Sequence, residues 1–190
     1  MAKPTLLLYP GAGSDRDQPA LVAIEQTLGA AASVERRDFP YRREGRRAPD
    51  RAPKLMEAIR GDIASVRRRR GPLMMGGRSM GGRIASMVAA DVDGVGPVDR
   101  LAGLVLICYP LHPPGKPERL RVEHLVDLAV PCLFISGTKD PFASPDELTE
   151  WTATIPAPVE HVWIDGGRHD LKGADDTIAA ATAEFVRRLS

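Results

Sequence analysis

Four apolar runs of strand length, three of them followed by a stretch with helical periodicity, constrain this chain more than any other feature. They are TLLLY (5–9), PLMMG (72–76), LAGLVLICY (101–109) and PCLFIS (131–136). A strand that is apolar along its whole length has to be covered on both faces, which is the condition of a parallel sheet lying between two helical layers. Two further strand candidates, SVERRDF (33–39) and VEHVWID (159–165), carry charges or histidine and suit the sheet edges. The intervening segments read as helices. One starts at Pro19 with Leu21, Ile24 and Leu28 on one face, and another at Pro53 with Leu55, Ile59, Ile63 and Val66. A third carries Ile84, Met87 and Val88. Ser144-Pro145-Asp146-Glu147 is a capping box opening a fourth, and the last starts near Asp175 with Ile178, Thr182 and Phe185 inward.

The expected fold class is therefore α/β: a three-layer α/β/α sandwich around a six-stranded parallel sheet. With the charged strands at the edges and right-handed crossovers, the strand order is 2-1-3-4-5-6. The winding then reverses between strands 1 and 3. A crevice opens there at the carboxyl ends of the strands, where open α/β sheets bind ligands. The long connections 40–52 and 110–125 read as loops, and neither is long enough for a large lid. No internal repeat or linker divides the chain, so one domain is expected over residues 1–190.

Composition narrows the functional classes. The net charge is +1 and hydrophobic residues make up 43%, an ordinary globular balance with no global pull toward nucleic acid. The arginines at 67–70 have no interleaved aromatics and read as a solvated helix end. Cys108 and Cys132 fall at opposite ends of neighbouring strands, too far apart for a bridge, and form no C-x-x-C pair. The opening apolar run stops at Pro10, too short for a signal peptide or a membrane span. The expectation is a soluble cytoplasmic protein with no membrane or nucleic-acid partner, no metal and no cofactor, and with homodimerisation left open.

The chemistry is carried by GGRSMGGR (76–83). Gly77-Arg78-Ser79-Met80-Gly81 fits G-x-S-x-G between a strand and a helix, the context in which a serine sits on a sharp strained turn with its hydroxyl exposed. Such a serine needs a base, and the base an orienting acid, following in the order Ser, Asp or Glu, His at later strand ends. Asp140 in SGTKDPF and His169 in DGGRHD meet that order, with Asp165 and Asp170 as competing acids. The oxyanion donors are expected at the backbone N–H of Met80 and, across the crevice in PGAG, of Ala12, with Gly13 a weaker candidate beside the substrate. Arg78 and His112 are candidate substrate contacts, each with an alternative role in supporting the elbow or packing a loop. His124 and His161 read as structural. Gly11-Ala12-Gly13 does not complete a dinucleotide fingerprint, because Arg16 stands where the third glycine would be.

These segments give the chain a resemblance. GAG, GRSMGGR, CYPLHPPGKP with LRVEHL, SGTKDPF and GGRHDL together resemble the α/β-hydrolases of the small, lidless, dienelactone-hydrolase-like type. More closely, they resemble the family of testis-expressed hydrolase-like proteins and the third subunit of the NSL chromatin complex. Pro10 stands where many of those relatives carry histidine. The resemblance implies a Ser79–His169–Asp140 triad but no defined substrate. The expected function is hydrolysis of a small soluble ester, thioester or lactone through an acyl-enzyme. The rival is a hydrolase-fold binding or scaffold protein with little turnover.

Overall fold

Burial follows the apolar runs strand by strand. The computed structural model describes residues 2–190. Strands β1 (Thr5–Tyr9), β3 (Leu73–Arg78), β4 (Leu101–Ile107) and β5 (Cys132–Gly137) are buried nearly throughout, whereas β2 (Ser33–Arg36) and β6 (Val159–Ile164) are half-exposed. All six form one parallel sheet in the order β2-β1-β3-β4-β5-β6, with the charged strands at its edges. Among the described residues, no helix is long and apolar enough to cross a membrane.

Side chains alternate between the two faces with the strand period of two. Leu6, Leu8, Met74, Val105 and Ile135 join a core with Leu21 and Ile24 of α1 (Pro19–Leu28) and Ile178, Phe185 and Val186 of α6 (Asp175–Arg188). Leu7, Tyr9, Met75, Leu106 and Phe134 face the other way. They meet Leu55 and Ile59 of α3 (Ala52–Val66), Ile84 and Val88 of α4 (Met80–Ala89) and Leu148 of α5 (Pro145–Thr152). The capping box of α5 forms as its sequence implies, with Ser144 Oγ accepting from Glu147 N and the Glu147 carboxylate accepting from Ser144 N.

Several boundaries differ from the sequence reading, β4 for example ending at Ile107 and not 109. β2 ends at Arg36, not 39, because the chain turns in to bury Phe39, which stacks on Tyr9 with centroids 5.3 Å apart. Segment 40–52 is not wholly loop: Pro40 opens the short helix α2 (Pro40–Arg43), and Tyr41 is buried within it. β3 runs on to Arg78 because Gly76 and Gly77 let the adjacent backbones close in. A Cβ at Gly76 would lie 1.9 Å from the Val105 carbonyl oxygen of β4, which sheet pairing holds in place.

Gly76→Ala is expected to destabilise the protein by ~3 kcal/mol or more through overpacking against fixed backbone, roughly 10 °C in Tm for a chain of this size. Gly61→Ala, on the exposed side of α3 where a Cβ meets nothing within 4 Å, is expected to raise stability by about 1 kcal/mol. Thermal unfolding of the two variants beside the wild type checks both signs.

Candidate active site

Ser79 leaves β3 in a conformation that L-residues rarely adopt, with φ 50° and ψ −116°, and it serves as N-cap of α4. Such strain persists only where the surroundings enforce it, and here they do. Ser79 N–H donates to the Ile107 carbonyl at 2.7 Å. Gly77 has φ 147°, and a Cβ there would lie 2.0 Å from the Tyr9 carbonyl oxygen. A Cβ at Gly81 would lie 2.4 Å from that same oxygen, and one at Gly82 would lie 2.6 Å from the Gly77 oxygen. Positions 77, 81 and 82 are therefore glycines because strand and helix press together on both sides of the turn.

The turns after β5 and β6 deliver the other two groups. Asp140 is almost wholly buried; its Oδ1 accepts from Phe142 N–H at 2.9 Å, and its two oxygens lie 3.0 and 2.8 Å from His169 Nδ1. Because a carboxylate only accepts, Nδ1 carries the proton and Nε2 is left to accept from the Ser79 hydroxyl at 2.9 Å. Phe142 stacks on the imidazole with centroids 4.0 Å apart. Arg78 donates to the His169 carbonyl oxygen and, with the Gln18 carboxamide oxygen turned toward it, to Gln18 at 2.9 and 2.7 Å. The arrangement can pass a hydroxyl proton to an imidazole whose tautomer and orientation are set in advance. Asp165 takes no part in it: its carboxylate accepts from Thr138 instead.

The PGAG loop lies beside the elbow, with a Cβ placed on Gly11 3.7 Å from Ser79 Cβ. Met80 N–H, at the first position of α4, has no acceptor within its helix. Tyr41 OH donates to the Ala12 carbonyl at 2.9 Å, which holds that loop. A cavity of about 540 Å³ opens over Ser79, lined by the PGAG loop, Arg78, Met80, Arg83, Pro110, Arg121, Phe142 and His169.

A family model described as alpha/beta hydrolase domain matches residues 2–187. The chain belongs to the alpha/beta hydrolases. Solved structures share the fold at low identity. Est1E from Butyrivibrio proteoclasticus has a TM-score of 0.78 at 15% identity, over 99% of this chain and 88% of that one. XC6422 from Xanthomonas campestris, a serine hydrolase described as having no lid, has a TM-score of 0.77 at 19% identity, over 99% and 83%. A monoacylglycerol lipase from Paleococcus ferrophilus has a TM-score of 0.78 at 14% identity, over 100% and 97%.

The remaining candidates of this hydrolase separate. Ala12, Gly13 and Arg78 line the cavity, but His112 does not. His112 is buried in its loop, donates from Nδ1 to the Pro113 carbonyl at 2.9 Å and has Nε2 3.5 Å from Glu147. The segment after β4 is tied to the Asp140 turn, since Leu111 and His112 N–H both donate to the Phe142 carbonyl, and this turns the His112 ring toward α5. His161 hydrogen-bonds Thr152 at 2.9 Å and stacks on Trp163, a packing role. Cys108 and Cys132 are both free and buried. Cys108 Sγ lies within 4.8 Å of ligand atoms of Asp140 and His169, a set that could in principle hold a metal ion. However, the Asp140–His169 hydrogen bond engages two of the three, and burial pushes the Cys108 thiol up to about 12, away from the thiolate that a metal requires.

Tyr41, Arg83, Arg121 and Phe142 were not singled out from the sequence. Phe142 had a signal, since it lies two residues after Asp140 in SGTKDPF. Segment 110–125 is held over the cavity by His124, whose Nε2 lies 2.8 Å from Ser86 Oγ and 3.0 Å from Tyr109 OH, all three groups buried. Burial first, and the nearby Arg83 charge second, push His124 down to about 4.

The unfolded chain therefore takes up this proton first as pH falls, near the ordinary histidine value of ~6.5. The stabilisation is complete above that pH and is lost toward pH 4, by about 3 kcal/mol across the window. His161, also lowered by burial, adds in the same direction. Denaturant unfolding at several pH values between 7 and 4 should show the fall. His124→Gln should flatten most of it, and an equally steep fall in that variant would contradict the assignment.

Proposed function

We propose that this hydrolase cleaves a small soluble ester, thioester or lactone through an acyl-enzyme on Ser79. The observation that carries the reading is the continuous chain from Ser79 Oγ through His169 Nε2 and Nδ1 to a buried Asp140 carboxylate. Ser79 Oγ attacks the carbonyl carbon while His169 Nε2 takes its proton. The Asp140 carboxylate stabilises the imidazolium that forms and keeps Nδ1 protonated. The tetrahedral oxyanion is stabilised by Met80 N–H and Ala12 N–H, each worth roughly 3–4 kcal/mol in the transition state. Collapse expels the alcohol or thiol, which takes the proton back from His169. Water, deprotonated by the same imidazole, then releases the acid and regenerates the serine.

Tyr41 acts through the Ala12 peptide and is a positioning residue. The connections between strands leave no room for a lid domain, and an open cavity of about 540 Å³ suits a small substrate. Both features favour the dienelactone-hydrolase-like type over enzymes for long-chain lipids.

A fluorophosphonate probe is expected to label the wild type and not Ser79→Ala. On p-nitrophenyl acetate and butyrate, Ser79→Ala should lose ~10³-fold or more in kcat/KM, and Asp140→Asn ~10²- to 10⁴-fold. Equal labelling of Ser79→Ala, or none of the wild type, would sink the assignment. A stoichiometric protein partner with no turnover across esters, thioesters and lactones would favour the scaffold reading.

A further inference from the structure

The cavity over Ser79 is lined by three arginines and no carboxylate. That is unusual for this chain, which carries 26 basic and 25 acidic residues and pairs many of them. Arg36, Arg46 and Arg60 each sit on two carboxylates, and Arg69 on one. Within the cavity, Arg78 is used: its guanidinium holds the His169 carbonyl and Gln18. Arg83 and Arg121 are different. Among the described residues, neither guanidinium makes a salt bridge or a side-chain hydrogen bond, and Arg83 Nε is buried with no partner. Arg83 and Arg121 are partly buried, and shutting the Arg83 Nε donor off from water without a partner is costly. A fold that tolerates this beside a nucleophile has a reason to keep the positions free.

The two side chains reach the cavity from separate elements. Arg83 is four residues past Ser79, one helical turn along α4, so both project from the same helix face; Arg83 N–H donates to the Ser79 carbonyl at 3.0 Å. Arg121 comes from segment 110–125, which the buried Val122, His124 and Leu125 fasten to the body. The fastening converges on Arg83's own turn, because Ser86 Oγ, bonded to His124, also donates to the Arg83 carbonyl at 2.8 Å. One buried network thus fixes the backbone of both arginines and directs like charges into the same cavity. Desolvation lowers the Arg83 pKa; Tyr109 opposes it, and the Arg121 charge lowers it further against a smaller pull from Glu123. An anion received by both guanidiniums would relieve the repulsion and satisfy the unpartnered Nε. Planar guanidiniums also match the geometry of carboxylate and phosphate oxygens.

We propose that Arg83 and Arg121 form a subsite for an anionic group, carboxylate or phosphate, so that the preferred substrates of Ser79 are esters, thioesters or lactones bearing a second, acidic group. This deepens the serine-hydrolase reading and rests on it for the word substrate, whereas the anion site itself is tested without turnover. In Ser79→Ala, NMR titration with glutarate and with inorganic phosphate should show saturable binding to at least one, and the tighter of the two identifies carboxylate or phosphate chemistry. Adding Arg121→Gln or Arg83→Gln should raise the dissociation constant ~10-fold or more, with Arg83→Lys partly restoring it. Arg187→Gln, at the far end of α6, removes the same charge and should leave binding as it was. Circular dichroism confirms that each variant is folded.

In the otherwise wild-type enzyme, the kcat/KM ratio of p-nitrophenyl hemiglutarate to p-nitrophenyl pentanoate should exceed one and fall ~10-fold in Arg121→Gln. Absence of binding by either anion, or binding unchanged by the arginine variants, overturns the subsite. Arginine-dependent binding in a protein that takes no fluorophosphonate upholds the subsite and rejects the hydrolase reading. Fluorophosphonate labelling without arginine-dependent binding does the reverse.

Discussion

The rest of the site depends on the close approach of two glycines to one carbonyl oxygen, that of Tyr9 at the end of β1. Gly77, before Ser79, and Gly81, after it, both come so near that any Cβ would overlap that oxygen, at 2.0 and 2.4 Å. This contact draws the end of β3 and the first turn of α4 against β1 and forces Ser79 to turn with φ 50°. It also sets the PGAG loop beside the serine, because the loop begins at the residue after Tyr9. Ser79 and the PGAG loop are thus positioned by one event of backbone packing. That packing is possible only where side chains are missing.

The same device recurs along the sheet. Ser79 N–H, one residue past β3, donates to Ile107 of β4, and Cys108 N–H, one residue past β4, donates to Ile135 of β5. Both residues have φ 50°. Thr138 N–H, past β5, donates to Ile164 of β6, and Gly137 lies so close to Gly167 that a Cβ would fall 2.2 Å from its carbonyl oxygen. Each strand end is thereby latched to the next in sheet order. The chain β3-β4-β5-β6 carries the serine, the buried thiol, the aspartate and the histidine toward one point. Parallel pairing puts all carboxyl ends on one edge, and the latches turn that edge into a site.

Much of this was legible because it rests on local chemistry. Apolar runs marked the central strands, charges marked the edges, and the strand order followed from those two facts. The elbow was readable because steric exclusion leaves glycines in the sequence, and Asp140 and His169 because strand ends precede them. Positions set by tertiary contacts alone were not legible. The prolines of segment 110–125 excluded regular structure but did not say that Val122, His124 and Leu125 would be buried, so Arg121 could not be placed over the cavity. Tyr41 looked like part of an arginine-rich loop until its ring was buried and its hydroxyl reached Ala12. His112 lay at the correct edge of the sheet, yet the tie of its loop to Phe142 turned it toward Glu147.

The arginines of GRSMGGR show how a single motif divides its labour. Arg78 and Arg83 are five residues apart and line the same cavity, but only the first has protein partners for its guanidinium. Arg78 precedes the strained turn and lies at the strand end, within reach of the loop that carries His169, so its guanidinium helps to hold that loop. Arg83 lies one turn into α4, where the neighbouring polar groups, Ser86, Tyr109 and His124, are engaged with one another. Those groups hold the backbone around Arg83, and among the described residues its side chain has no partner. Without an ion pair among the described residues, the Arg83 guanidinium has no internal partner to give up when an anion arrives. In the proposed subsite, that unpaired charge is the feature by which the cavity would tell an acidic substrate from a neutral one.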